Sequence, residues 1–151
     1  LHTQLRVCLL WWLRFMRCYT ARSMPTPLVH RPIDVPYSDG EGDTAGVGIC
    51  VFFNETPLLE AAFAEFPDEI RRLWYRRAGI GECHDIFLVE AIGPLLVLCT
   101  YPRLLRGAAW VHCIDNAAAQ HAPLRGSSSI YSGCHILELT WDHAADLDSW
   151  S

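Results

Sequence analysis

Apolar residues in the first part of the chain recur at the spacing of an α-helix. They are Leu5, Cys8, Leu9, Trp12, Met16 and Tyr19. At about 100° per residue, Arg6, Arg14 and Arg17 fall together beside this apolar face. The pattern predicts an amphipathic helix from Leu5 to Tyr19 with a basic flank. Such a helix could lie on a membrane surface, but we favour packing on a neighbouring domain.

Prolines dominate the next stretch, at positions 25, 27, 32 and 36. Because proline lacks a backbone N–H and fixes its own φ, this composition excludes a helix and favours an extended linker. We therefore predict two parts. Residues 1–31 form a basic connecting helix and linker, and residues 32–151 form a folded domain.

Short apolar runs bounded by turn residues replace the helical pattern after the linker. Ile33 to Ser38 and Val47 to Phe53 predict two strands, and the glycine-rich segment between them predicts a hairpin turn. Leu58 to Phe66 predicts a third strand, although its alanines favour a strand less. Pro67 then begins a short helix with an acidic first turn and four later arginines, which we interpret as a solvated face.

The stretch from Asp85 to Thr100 allows two interpretations. Gly93 and Pro94 could form a turn between two strands, because a proline inside a helix removes a backbone hydrogen bond. Its apolar residues nevertheless share one helical face, and the stretch is longer than a usual strand. We therefore predict a helix that is kinked at Pro94.

The last third of the chain predicts one more strand and two more helices. Trp110 to Ile114 predicts a short strand, and Ala117 to Ala122 predicts a helix that Pro123 and Gly126 close. The serines at 127–129 offer an N-cap for a final helix over residues 130–147. Residues 148–151 are expected to begin another strand. The order of elements predicts an α/β domain.

Charge is divided unevenly between the two parts. The formal charge of the chain is −5, but residues 1–31 hold five arginines and no acidic residue, so residues 32–151 carry −10. This asymmetry predicts that the N-terminal segment contacts any polyanion. The sequence has no lysine, so every fixed positive charge is an arginine guanidinium, a group that suits bidentate phosphate contacts.

The seven cysteines are an odd number and contain no C-x-x-C pair. They predict buried thiols in a reducing, intracellular environment, the cytoplasm or the nucleus. The apolar stretch from Val7 to Met16 contains Arg14 and is too short to cross a bilayer, so we expect no membrane partner.

Three acidic residues lie in apolar surroundings. Asp39 and Asp115 each follow a predicted strand, and Glu90 lies in the predicted kinked helix. Neighbouring strands would place the two aspartates at one sheet edge, and a helix packed on the sheet can bring Glu90 between them. Three close carboxylates repel one another, so such a cluster needs hard cations such as Mg²⁺ or Mn²⁺. This is the equipment for two-metal cleavage of a phosphodiester.

Three segments in this order resemble the ribonuclease H domain of retroelement reverse transcriptases. They are YSDGEG with GVGICVF (residues 37–52), LVEAIGPLLVL (residues 88–98) and HCIDNAAA with LRGSS (residues 112–128). The similarity covers roughly residues 33–150. It implies a ribonuclease H-like mixed sheet flanked by helices, and hydrolysis of the RNA strand of an RNA/DNA hybrid with two Mg²⁺ ions. Asp39, Glu90 and Asp115 match metal-binding acids of that family.

The resemblance also implies partners. The residues expected to contact nucleic acid are Arg14, Arg17, Asn116 and Arg125. Residues 1–31 resemble the segment that joins such a domain to a preceding reverse transcriptase domain, so that domain of a longer polypeptide is an expected partner. The family has a fourth metal-binding Asp after a fifth strand, and Asp142, Asp146 and Asp148 come too early to match it.

We therefore expect the domain to lack its C-terminal strand and helix. The alternative function is a catalytically inactive nucleic-acid-binding or structural remnant of a retroelement polyprotein.

Two other metal sites were considered. Residues 39–43 mimic the start of a calcium loop, but Thr44 replaces the required glycine and Cys50 the required glutamate. Cysteine and histidine are adjacent at residues 83–84, 112–113 and 134–135, which fits no standard zinc module. Neighbours in a strand point to opposite faces, so each pair could supply one ligand.

Overall fold

The structure, a computed structural model, describes residues 3–18, 33–41, 46–53, 58–77 and 85–149. The chain divides into two units, Leu1–Arg31 and Pro32–Ser151, at the same position as the predicted boundary. The first unit contains α1 (Thr3–Cys18), the predicted helix; its predicted end at Tyr19 and most of the linker lie outside the described residues. Within the described ranges, no helix is long and apolar enough to cross a membrane.

The second unit is an α/β domain with a mixed five-stranded sheet flanked by helices, which confirms the predicted class. Its strands are β1 (Ile33–Glu41), β2 (Gly46–Phe53), β3 (Leu58–Glu65), β4 (Ala109–Trp110) and β5 (Cys113–Ile114). Its helices are α2 (Asp68–Arg77), α3 (Asp85–Ala91), α4 (Gly93–Thr100), α5 (Ala117–Arg125) and α6 (Tyr131–Asp146). The third strand forms despite its alanines.

The strand order is β3-β2-β1-β4, and β5 also pairs with β1. β1, β2 and β3 are antiparallel neighbours, whereas β4 and β5 run parallel to β1. Ile33 pairs with Ala109 and Ser38 with Ile114, so β4 and β5 keep one register and form two pieces of one strand. The single strand predicted over residues 110–114 is therefore interrupted at residues 111 and 112.

Pro36 explains this interruption. The N–H of Val111 donates to the carbonyl of Asp34 at 3.0 Å, which fixes the side of β1 that faces the parallel strand. Continuing that ladder requires the N–H of residue 36 to donate to the carbonyl of Val111. Proline has no N–H, so the ladder stops there and resumes where Tyr37 pairs with Cys113.

The helices cover one face of the sheet, which we call the inner face. α3 and α4 pack on β1 and β2, and α6 packs on α4. Alternate residues of β2 enter this core and are buried, namely Val47, Ile49, Val51 and Phe53. On the other face, which we call the outer face, large apolar side chains are exposed, among them Tyr37, Phe52, Leu59 and Phe63.

The stretch from Asp85 to Thr100 is helical, so the prediction of a helix is confirmed and the two-strand alternative is wrong, but the interruption lies two residues before Pro94. The break falls at Ile92, whose N–H donates to the Leu88 carbonyl at 3.1 Å and whose carbonyl accepts from Leu96 at 3.0 Å. Pro94 lies in the first turn of α4, where its missing N–H costs least.

The C-terminal prediction needs two corrections. α5 continues through Pro123 to Arg125 and ends at Gly126, whose φ of 65° suits glycine. α6 is followed by a turn, so the strand predicted from residue 148 is wrong for Asp148 and Ser149; residues 150 and 151 lie outside the described chain. The Asp148 N–H donates to Ala145 and the Ser149 N–H to Ala144, a C-terminal capping arrangement that satisfies the last carbonyls.

A candidate metal centre

The parallel pairing of β1 with β5 brings two of the predicted acids together. Ser38 pairs with Ile114, so the next residue of each strand, Asp39 and Asp115, lies at the same edge of the sheet. Parallel strands end in the same direction, and side chains at their carboxyl ends therefore converge. The third acid, Glu90, comes from α3, which packs on β1.

The three carboxylates form one cluster. Asp39, Glu90 and Asp115 each offer an oxygen, and these oxygens lie within 4.8 Å of one another. Asp39 and Asp115 are exposed, whereas Glu90 is only 3% exposed. Among the described residues, no other His, Cys, Asp or Glu joins them. The structure thus brings together the three residues that the sequence selected.

Glu90 is held by the backbone of β1. The Gly40 N–H donates to Glu90 Oε1 at 3.1 Å. A Cβ at position 40 would lie 2.7 Å from Val89 Cγ1 and 3.2 Å from Glu90 Cδ, so only glycine allows α3 to approach this closely. In the part of the chain that the structure describes, no hydrogen-bond donor reaches the buried Oε2 of Glu90.

The charge of Glu90 is unfavourable in this environment. Burial raises the pKa of its carboxyl above the ordinary 4.5, and the charges of Asp115 and Asp39 raise it further. The Gly40 hydrogen bond acts in the opposite direction, because it stabilises the ionised form. A cation beside Oε2 would compensate both the burial and the repulsion.

The cluster can therefore bind a metal ion. All three donors are carboxylate oxygens, the ligand type that hard divalent cations prefer. A buried carboxylate oxygen without a partner is costly unless something compensates it, and Glu90 Oε2 is such an oxygen in the residue that joins the two aspartates. The donor set and the unsatisfied oxygen both fit a cation.

An open cavity of about 610 Å³ borders the cluster on the outer face. Asp39 and Asp115 line it together with apolar residues that include Tyr37, Cys50 and Ile114. Because the two aspartates face this opening, a ligand from solvent can reach them without passing through the core.

The four predicted nucleic-acid contacts are divided between the two units. Arg14 and Arg17 lie on α1 and are exposed, in the other unit. Asn116 caps α5, since its Oδ1 accepts from the N–H groups of Ala118 at 3.0 Å and Ala119 at 3.1 Å. Arg125 is exposed at the opposite end of that helix. Their contact with nucleic acid stays a prediction.

The rival metal sites gain no support from the described residues. Asp39 and Glu41 belong to β1 and pair with Gly48 and Gly46, so they lie in a strand and not in a calcium loop; residues 42–45 lie outside the described chain. No group of cysteine and histidine ligands converges there, and the pair at residues 83–84 also lies outside it.

Two contacts at the site were not predicted from the sequence. The sequence does indicate the first, between Gly40 and Glu90, because a glycine directly follows Asp39. It does not indicate the second, a hydrogen bond of 2.8 Å between Ser38 Oγ and His112 Nε2, because the pairing of residues 74 positions apart depends on the register of β1 and β5.

Comparison with known proteins gave no match. No family model matches the chain, and no curated protein or solved structure does so either.

Proposed function

We propose that this chain is a metal-dependent, ribonuclease H-like nuclease domain that cleaves the RNA strand of RNA/DNA hybrids. The observation that carries the proposal is the convergence of Asp39, Glu90 and Asp115, together with the buried Oε2 of Glu90, which no described donor reaches. Two further features agree with the proposal. The three sequence motifs occur in the same order as in that family, and the domain has a mixed sheet with the second motif in a helix.

The preferred metal under this proposal is Mg²⁺, with Mn²⁺ as a substitute. Glu90 would offer Oε2, which no described donor reaches, whereas Oε1 already accepts from Gly40. Asp39 and Asp115 would contribute oxygens from the exposed side. One monodentate carboxylate and two exposed ones leave room for water and phosphate oxygens, as Mg²⁺ requires.

These carboxylates would hold a divalent ion, whose chemistry when bound would be to lower the pKa of a water nucleophile and to stabilise charge on the leaving oxygen. The residues of the protein would hold the three carboxylates in place around the metal. α3 and the Gly40 N–H fix Glu90 beneath the site, and β1 and β5 present the two aspartates to the cavity. A phosphodiester would approach the carboxylates from the outer face. The cavity there has an apolar lining, so few other polar groups would compete with the carboxylate-bound metal for its phosphate oxygens.

The proposed partners follow from the same function. An RNA/DNA hybrid is the substrate, and a reverse transcriptase domain of a longer polypeptide is the neighbour to which residues 1–31 would connect. Arg17 of α1, exposed on the basic flank, would then be available to phosphates.

A catalytically inactive remnant is the second candidate. The observation that favours it is the number of carboxylates, since three and not four converge among the described residues. Such a domain would bind a divalent ion and nucleic acid without turnover.

The direct test uses a hybrid labelled on its RNA strand, incubated with the purified chain and Mg²⁺. We expect cleavage that Asp39→Asn and Glu90→Gln each remove. Asp146→Asn is the matched control, because Asp146 is an exposed acid of α6 outside the cluster. Full cleavage by Asp39→Asn would contradict the nuclease proposal. Metal binding by the wild type without cleavage would favour the remnant, and calorimetric titration with Mg²⁺ measures that binding.

A further inference from the structure

Residues close in sequence to the three acids also meet one another at a second point, on the inner face. Ser38 lies in β1 and is 7% exposed, one residue before Asp39. Its Oγ is hydrogen-bonded to His112 Nε2 at 2.8 Å. His112 lies in the gap between β4 and β5, three residues before Asp115. This hydrogen bond links β1 to its parallel neighbour where Pro36 interrupts the backbone ladder.

Gly93 completes this meeting point. A Cβ at position 93 would lie 2.6 Å from Ser38 Cβ and 3.6 Å from His112 Nε2, so the start of α4 rests directly on the pair. Gly93 is three residues after Glu90, which places the two on one side of the helical stretch. Ser38, His112 and Gly93 thus lie within three residues of Asp39, Asp115 and Glu90 in sequence. We call these three residues the inner lock.

The inner lock and the Gly40 contact together restrain the helical stretch of α3 and α4 at two points, one on each helix. Gly40 meets Glu90, and Ser38 meets Gly93. Ser38 and Gly40 are two residues apart on a strand and so point to the same face. A single contact would leave the helix free to pivot about it, whereas two contacts fix both its distance from β1 and its rotation.

We propose that Ser38 and His112 are positioning residues of the metal centre, which fix the mutual placement of the Asp39, Glu90 and Asp115 carboxylates. This inference rests on the proposed metal centre. Neither residue touches the metal or the substrate; each acts through the element that carries a ligand. Groups that orient metal ligands commonly change metal affinity by about 10- to 100-fold when they are removed.

Calorimetric titration of the whole chain with Mn²⁺ tests the proposal. We expect Ser38→Ala and His112→Leu each to weaken Mn²⁺ binding about tenfold. His112→Gln should recover most of the affinity, because its side-chain amide can bond Ser38 Oγ from a similar place. The control is Thr140→Ala, which removes a buried hydroxyl whose hydrogen bond to the Ile136 carbonyl stays within α6. It should lower the thermal midpoint but leave Mn²⁺ affinity unchanged.

The outcomes separate this inference from the proposed function. If Ser38→Ala and His112→Leu lower the thermal midpoint as Thr140→Ala does but bind Mn²⁺ like the wild type, the positioning role is overturned, while a loss of binding in Asp39→Asn keeps the metal centre. If the wild type binds no Mn²⁺, or Asp39→Asn binds it equally well, both are overturned. Weakened binding in Thr140→Ala would attribute the effect to general loss of stability and would also overturn the positioning role.

Discussion

The backbone N–H of Gly40 donates to Oε1 of Glu90 at 3.1 Å and joins β1 to α3 across 50 positions of sequence. The bond satisfies Oε1, whereas no described donor reaches the buried Oε2 of the same carboxylate. The metal-free protein therefore holds a buried carboxylate at a cost in stability, which a cation bound at the cluster would offset.

Glu90→Gln should reveal the stability cost of the buried carboxylate. Glutamine keeps an oxygen for the Gly40 N–H and replaces Oε2 by an NH₂ group that can donate to the two aspartates. We expect the metal-free unfolding free energy at neutral pH to rise by about 1 kcal/mol, while Mg²⁺ affinity falls sharply. Urea unfolding in the presence of a chelator and calorimetric Mg²⁺ titration measure the two effects. A variant that is less stable than the wild type without metal would contradict the prediction, and Asp146→Asn should show neither effect.

The same carboxyl predicts how stability depends on pH. Burial first, and then the charges of Asp115 and Asp39, raise the pKa of Glu90 above its ordinary 4.5. The folded state therefore binds this proton more tightly, and the stability it contributes is lost as pH rises through the raised pKa. Relative to Glu90→Gln, the metal-free wild type should lose unfolding free energy as pH rises above 4.5. Parallel pH profiles would contradict this.

The strands and the choice of acids could be predicted because they depend on neighbours in sequence. β1, β2 and β3 show apolar runs with turn residues between them, and this local signal prevailed over the alanines of β3. Asp39 and Asp115 were identifiable since each follows a short apolar run in the sequence, although β1 continues past Asp39 to Glu41 in the structure. Their convergence also needs the register that pairs Ser38 with Ile114.

The remaining features depend on register, which the sequence does not show. Pro36 is visible in the sequence, but its effect at Val111 requires knowing which residues of the two strands pair. The hydrogen bond between Ser38 and His112 has the same origin. The strand expected at Asp148 was wrong because residues 148 and 149 form a turn whose N–H groups bond the last carbonyls of α6. Both residues are polar, and their sequence alone suits a turn or the start of a strand.

Gly40→Ala should disturb the centre by steric contact alone. The new Cβ would lie 2.7 Å from Val89 Cγ1 and 3.2 Å from Glu90 Cδ, so α3 must move away from β1. We expect a loss of about 1–3 kcal/mol in unfolding free energy together with weaker Mg²⁺ binding. Gly48→Ala is the matched control, because its Cβ would meet only the Asp39 carbonyl oxygen at 3.9 Å. Equal effects of the two variants in urea unfolding would contradict this account.

His112 should produce a pH dependence of the opposite sign to that of Glu90. Burial lowers the pKa of His112 from 6.5 to about 4. The unfolded chain binds the proton more tightly, so stability present above pH 6.5 is lost as pH falls toward 4. Relative to His112→Gln, the wild type should lose up to about 3 kcal/mol across this window. Urea unfolding in a Glu90→Gln background removes the opposing contribution, and a constant difference between the proteins would refute the prediction.

At Asn116, capping of α5 can be separated from the predicted contact with nucleic acid. Its Oδ1 accepts from the N–H groups of Ala118 and Ala119, which leaves Nδ2 for other contacts. Asn116→Ala should cost about 1 kcal/mol of unfolding free energy, and Asn116→Ser, which keeps a capping oxygen, only a few tenths. If Nδ2 contacts the hybrid, both variants should bind it more weakly in fluorescence anisotropy, although only the alanine variant is clearly destabilised. Wild-type affinity in Asn116→Ser would remove Asn116 from the predicted nucleic-acid surface and leave it as the cap of α5.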